Sequence, residues 1–133
     1  MSAQGLIATA KAMVAEGKGL LAMDESTPTC NKRFEKAGIA QTEEARRSYR
    51  EMILTTPGLG EFISGVILYD ETIRQSRKDG TPFVQVITDA GIIPGIKVDT
   101  GAKNMAIHPG EKITEGLDGL RGVRSNLSIP MKW

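Results

Sequence analysis

Sulfur chemistry is almost absent from this chain, which holds a single cysteine, Cys30. With no second cysteine to pair with, an intrachain disulfide and therefore a secreted disulfide scaffold are excluded. An excess of charge of either sign is also missing, the formal net charge being +1. That gives no electrostatic reason to expect nucleic acid or an anionic membrane surface as a partner. Long apolar runs are missing too. The longest, such as Gly65–Tyr69, are far too short to span a bilayer, and Met1–Val14 lacks a basic segment followed by a long apolar run. No secretory signal is visible, and a cytoplasmic protein is the expectation. Histidine occurs once, as His108, in a polar loop where a solvated residue is expected. One histidine and one cysteine are too few ligands for a metal site, and neither metal nor cofactor is expected. There is no GxxxxGK[ST] loop, no HExxH and no CxxC, and Gly58-Leu59-Gly60 lacks the third glycine of a dinucleotide fingerprint.

What is present is an ordinary globular composition, 40% hydrophobic and 25% charged, over 133 residues. That length suffices for one domain with a real core. Leu6, Ile7, Ala10, Met13 and Val14 share a helical face, so the spacing predicts an amphipathic helix over Ala3–Glu16, stopped by Gly17. Gly19–Met23 is a short apolar run ending at Asp24, as in a strand buried on both faces. Glu25–Asn31, rich in Ser, Thr and Pro, reads as a loop. A helix follows over Thr42–Leu54, with Ala45, Tyr49, Met52 and Ile53 on one face and Glu43 and Glu44 in the first turn, where the helix dipole favours negative charge. Phe62–Tyr69 is a second buried strand. Asp70 is placed to cap a short helix through Arg77, and Thr81-Pro82 to start another carrying Phe83, Val86, Ile87 and Ala90. The third apolar run is Gly91–Asp99. Pro94 has no N–H to give a ladder, so pairing is expected from about Gly95. A loop over Thr100–Lys112 and a helix starting within Thr114–Arg121 complete the reading. Strands alternating with helices predict an α/β fold with a parallel sheet. Two architectures fit, an open doubly wound sheet or part of a closed (β/α) barrel. A whole eightfold barrel takes about 250 residues, so a barrel here is partial.

Two clusters stand out chemically. Asp24 closes a buried strand, where parallel α/β folds place ligands, and Ser26, Thr29, Lys32 and Arg33 follow with hydroxyls and cations suited to a phosphate. The bland alternative is a strand-ending Asp, a Ser/Thr turn and a solvated basic helix face. Lys97 interrupts Gly95-Ile96-Lys97-Val98, and a lysine inside a buried strand is costly unless paired or facing a polar cavity. The alternative there is a short strand with an exposed lysine.

At these residues a resemblance becomes specific. LLAMDEST, KR, TEEARRSYREMILTTPG, SGVILYDET, GIKVDTG and TEGLDGL, in that order from about residue 5 to Arg121, resemble class I fructose-bisphosphate aldolase. The resemblance implies a partial (β/α)8 TIM barrel, its first three strands and their helices, over residues 1–121, with a divergent tail over 122–133. It implies a metal-independent lyase that reversibly cleaves fructose 1,6-bisphosphate to dihydroxyacetone phosphate and glyceraldehyde 3-phosphate through a lysine Schiff base. The full-length family is expected to be a homotetramer. Asp24 matches the family's active-site aspartate, which lies near the Schiff-base lysine. Thr29 falls where relatives carry a phosphate-contacting serine. Ser26, Lys32 and Arg33 match the same substrate loop, and Lys97 matches a lysine reaching the distal phosphate. Pro28 and Cys30 depart from the family pattern, and a stiffer loop is expected. After Leu120 the family continues with a helix and a strand, whereas Gly122 and Pro130 work against both here. The Schiff-base lysine belongs to later strands, so these residues alone are expected to be inactive. The alternative function is a non-catalytic phosphate-binding or aldolase-interacting fragment.

Overall fold

The computed structural model describes residues 3–116 and 118. They fall into two compact units, one running to Ile96 and one beginning at Lys97. The first unit is built on three strands, β1 (Gly19–Met23), β2 (Ile63–Leu68) and β3 (Ile93–Ile96), in the parallel order β1-β2-β3. Met23 pairs with Leu68, and Leu68 with Ile96, so the three strands end level with one another. The helices are α1 (Ala3–Met13), α2 (Thr27–Lys36), α3 (Glu43–Leu54), α4 (Leu59–Phe62), α5 (Asp70–Ile73) and α6 (Phe83–Asp89). Strands and helices therefore alternate as the apolar runs predict.

β2 is the central strand. Its Ser64, Gly65, Val66 and Leu68 are buried, and an apolar core of Met23, Phe34, Leu54, Ile73, Phe83, Ile87 and Ile92 is buried with it. Ser64 anchors the strand's start, donating from Oγ to the carbonyls of Met13 at 2.5 Å and Gly19 at 3.2 Å. At Gly60 in α4 a side chain has no space, since a β carbon there would lie 2.0 Å from the carbonyl oxygen of Ala90.

Several expectations are corrected. β1 is an edge strand of this sheet, not one buried on both faces: Leu20 is 47% exposed, and only Met23 is buried. The expected apolar face of α1 is likewise open, with Leu6, Ile7 and Val14 exposed. α1 stops at Met13, short of the expected Glu16, and Gly17 turns the chain at φ +73°. The Ser/Thr/Pro stretch read as a loop is mostly helix. Ser26 is the N-cap of α2 and Pro28 stands in its first turn, where its missing N–H costs nothing. α3 lies where expected, and Thr42 is its N-cap, accepting the Ala45 N–H at 3.1 Å. Its buried stripe, however, is Arg46, Arg50 and Leu54, while Met52 faces water. The N-cap position of α5 is Tyr69 rather than Asp70 and that of α6 is Pro82 rather than Thr81, and neither side chain makes a capping hydrogen bond. β3 begins at Ile93, so Pro94 does lie in the ladder, opposite Val66.

The second unit is not a plain loop. β4 (Gly101–Asn104) and β5 (Lys112–Glu115) form an antiparallel hairpin, Gly101 opposite Glu115 and Asn104 opposite Lys112. Their side chains are exposed, Ala102 and Ile113 included, so no buried apolar alternation announces them. Thr114 and Glu115 are strand rather than the start of a helix. The expected remainder of that helix and the 122–133 tail lie outside the described residues, apart from Gly116 and Asp118. Among the described residues no helix is long and apolar enough to cross a membrane.

An edge strand with Leu20 exposed, together with the open apolar face of α1, leaves surface of the kind that favours association. The 133-residue chain by itself is expected to self-associate, which light scattering after size-exclusion chromatography will check; a monodisperse monomer with a cooperative melt is the contrary result.

Candidate functional site

The level ends of the parallel strands define the face on which this fold type places ligands. Asp24 follows the last residue of β1 there and is half-buried. Glu25 comes next and organises its surroundings. Its carboxylate accepts from Arg33 Nη1 at 2.5 Å on Oε1 and from Arg50 Nη1 at 2.6 Å on Oε2. Arg50 Nη2 also donates to the Glu25 carbonyl oxygen at 2.9 Å and reaches Cys30 Sγ at 3.2 Å. One guanidinium thus holds both the side chain and the backbone of the residue after Asp24.

The two arginines differ in kind. The Arg50 side chain is 2% exposed and that of Arg33 59%. Arg50 also stands 5.1 Å from the centroid of the Tyr49 ring, and Tyr49 meets Phe34 of α2 edge-to-face at 5.8 Å. Burial on its own would raise the Glu25 carboxyl. The Arg50 hydrogen bond leads the effects that outweigh it, with its own backbone N–H, the Arg50 charge and Arg33 behind, and the group sits below its ordinary 4.5. Burial pushes the Cys30 thiol up, against the partly offsetting charge of Arg50. Cys30 is therefore an inert, buried thiol.

Ser26, Thr29 and Arg33 follow one another at spacings that share a side of α2. The Ser26 and Thr29 hydroxyls are hydrogen-bonded to each other at 3.1 Å, and the Ser26 hydroxyl accepts no capping bond from a backbone N–H of α2. Lys32 is exposed on α2. As the residue before Arg33 in a helix it points about 100° away from it. A second arginine of α3 extends the frame. Arg46 donates bidentately to Glu71 of α5 at 2.7 and 2.8 Å, and to Asn31 Oδ1 of α2 at 2.9 Å. α3 thereby ties the segments that follow β1 and β2.

Lys97 belongs to the second unit and is placed differently from its expected position. It follows β3 rather than interrupting it. It is half-buried and paired, its Nζ lying 2.5 Å from Asp99 Oδ2, and Asp99 also accepts the Gly101 N–H at 2.9 Å. The Lys97 hydrogen bond is the main reason that the Asp99 carboxyl lies below its ordinary value. His108 is exposed between β4 and β5, as expected. A surface hollow lined by Thr56, Gly58, Leu59, Gly60, Glu61 and Ala90 lies near the opposite end of β2 and carries a single titratable side chain.

Of the residues singled out in the sequence, Asp24, Ser26, Thr29 and Arg33 come together after β1, Lys32 stands on another side of α2, and Lys97 belongs to the second unit. The sequence reading missed Glu25 as the hub and Arg50 and Arg46 as its supports. The available signal was an arginine pair four residues apart in line with Leu54, a spacing that competes with the apolar face of Ala45, Tyr49, Met52 and Ile53.

Three parallel strands alternating with helices, ending level and with a half-buried carboxylate just past β1, define a piece of an α/β fold of the kind that (β/α) barrels are built from. Comparison with known proteins makes this particular. A sequence model of the family described as fructose-bisphosphate aldolase class-I matches residues 5–126. The chain is 63% identical over 121 residues to a probable fructose-bisphosphate aldolase class 1 of Xanthomonas campestris pv. campestris, covering 91% of this chain and 36% of the relative. It is 51% identical over 115 residues to the chloroplastic fructose-bisphosphate aldolase 3 of Arabidopsis thaliana, covering 86% of this chain and 29% of the relative. Among solved structures it is similar to fructose-bisphosphate aldolase from Plasmodium falciparum, in a ternary co-crystal with TRAP and a small-molecule inhibitor. The TM-score is 0.85 and the identity 48%, over 90% of this chain and 34% of that one. The chain belongs to the class I fructose-bisphosphate aldolase family, an enzyme family, and its fold is part of the aldolase TIM barrel. It spans about a third of the length of the curated relatives it matches.

Removing Arg50 leaves the Glu25 carboxylate with only the exposed Arg33 as counter-charge, so Arg50→Met is expected to destabilise the first unit by about 3 kcal/mol, and Glu25→Gln with Arg50→Met together by less. Acid follows the same logic. Folded Glu25 titrates below 4.5 and unfolded Glu25 near it, so the unfolded chain binds more protons in that window. The contribution is fully present above about pH 4.5 and is lost as pH falls through the folded value. Urea midpoints measured on acidification should fall more steeply for the wild type than for the double variant.

Proposed function

We propose that these residues form the first three β/α units of a fructose 1,6-bisphosphate aldolase and contribute part of its active site. Asp24 is the carboxylate that orients substrate and handles charge beside the Schiff base. Arg33, Ser26 and Thr29 take a phosphate of the sugar bisphosphate, with Lys32 adding positive charge from the same helix. Lys97 is a further phosphate contact. The observation that carries this reading is the half-buried Asp24 at the end of β1, leading into a turn that presents an exposed guanidinium and two adjacent hydroxyls, within a member of this family. A guanidinium fork and hydroxyl donors match the oxygens of a phosphate monoester.

The chemistry assigned to the family needs an amine of lowered pKa to attack the ketone and an electron sink for carbon–carbon cleavage. The resemblance assigns no residue of this chain to that amine. It falls to the later strands of the barrel, with the proton-transferring carboxylates. The 133-residue chain therefore supplies substrate contacts and Asp24, and turnover requires the rest of a barrel. The exposed edge of β1 favours a second reading beside this one, a piece that pairs with other aldolase chains without catalysing.

Two assays test the proposal. The 133-residue chain alone is expected neither to cleave fructose 1,6-bisphosphate nor to be trapped by borohydride with dihydroxyacetone phosphate; steady turnover lost on borohydride treatment contradicts this. Joined to the remaining two-thirds of the Xanthomonas campestris relative, the chain is expected to give an active hybrid. In that hybrid Asp24→Asn should lower kcat by about 100-fold or more, the range for losing a positioned acid–base or charge-handling group. A hybrid whose kcat is unchanged by Asp24→Asn removes Asp24 from the active site.

A further inference from the structure

Glu25 divides one carboxylate between two arginines of opposite character, and that division has a functional consequence. Arg50 cannot leave. It is buried, its donors also engage the Glu25 carbonyl and Cys30, and Tyr49 lies against it. Arg33 is more than half exposed and meets Glu25 through the other carboxylate oxygen. A carboxylate and a phosphate present similar oxygen geometry to a guanidinium fork. Glu25 therefore occupies on Arg33 a donor of the kind that an incoming phosphate would take. When Arg33 turns to such an anion, Glu25 keeps a counter-charge, because Arg50 remains in place. An exposed ion pair of this sort is weak enough to exchange, whereas a buried one is not.

We propose that Glu25 is a built-in competitor for the phosphate bound by Arg33, and that Arg50 is the positioning residue that sets the strength of this competition. The inference rests on the reading of Arg33 as a phosphate contact. It extends that reading by assigning affinity control to a carboxylate that itself touches no substrate. With Arg50 present, Glu25 shares its charge and holds Arg33 loosely. Without Arg50, the whole carboxylate charge falls on Arg33.

The two substitutions then act in opposite directions, which a merely structural pair would not do. Equilibrium dialysis against radiolabelled inorganic phosphate, on the 133-residue chain, measures this whether or not the chain self-associates. Arg33→Gln serves as the control that assigns bound phosphate to Arg33. Glu25→Gln with Arg50→Met removes both charges together and keeps the core from holding an unpaired ion; it is expected to bind phosphate about two- to five-fold more tightly than wild type, the range set by loss of one exposed ion pair. Arg50→Met alone is expected to bind more weakly than wild type, and Arg50→Lys, which restores the charge, to recover most of that loss. Arg33-dependent phosphate binding that is equal or weaker in the double variant overturns the proposal while leaving Arg33 as a phosphate contact. Binding indifferent to Arg33→Gln in both wild type and double variant overturns the proposal and the assignment of Arg33 together.

Discussion

A guanidinium withdrawn from water has to find a counter-charge and acceptors for its N–H groups, and the buried Arg50 imposes that requirement on everything around it. It is met by Glu25, by the Glu25 carbonyl and by Cys30. The result is that the turn leaving β1 has little freedom. Glu25 is fixed through backbone and side chain, Arg33 is drawn to it from the second turn of α2, and Phe34 closes on Tyr49 behind them. Asp24 is carried on the same short stretch of chain, between a strand locked into the sheet and a residue locked onto Arg50. The start of α2, rich in Ser, Thr and Pro, is held to α3 by a charge pair rather than by its own composition.

Arg46 repeats the device one helical turn away, with Glu71 and Asn31 as its partners. Between them, the two arginines bind α3 to the segments after β1 and after β2. This differs from the usual way a crossover helix holds a sheet, by an apolar stripe. Leu54 is the one apolar residue of α3 that is fully covered, and Met52 is left in water. Polar fixation at the strand ends and apolar packing lower in the sheet divide the work.

The three parallel strands were legible because short apolar runs bounded by polar residues leave few other possibilities, and α3 because Thr42, Glu43 and Glu44 mark a helix start without ambiguity. The position of Asp24 followed from the end of the first run. What escaped did so for physical reasons. Ser26, Thr27 and Pro28 favour turns and helix starts alike, so α2 read as loop. Arg46 and Arg50 count as polar in any periodicity, and burial of a charge depends on partners that are 25 residues distant for Arg50–Glu25 and Arg46–Glu71. β4 and β5 have no buried face to alternate against. The exposure of β1 and α1 reflects which surfaces are covered within this part of a barrel, and apolar runs carry no record of that.

The sequence positions of the two arginine contacts also order events as the chain is made. Arg50 looks back to Glu25 and Cys30, which leave the ribosome before it. Arg46 looks back to Asn31 but forward to Glu71, on the far side of β2. The turn after β1 can therefore be clamped while β2 has yet to be synthesised, and the segment after β2 is secured only later. The partners that clamp the end of β1 are thus all made before the strand it pairs with.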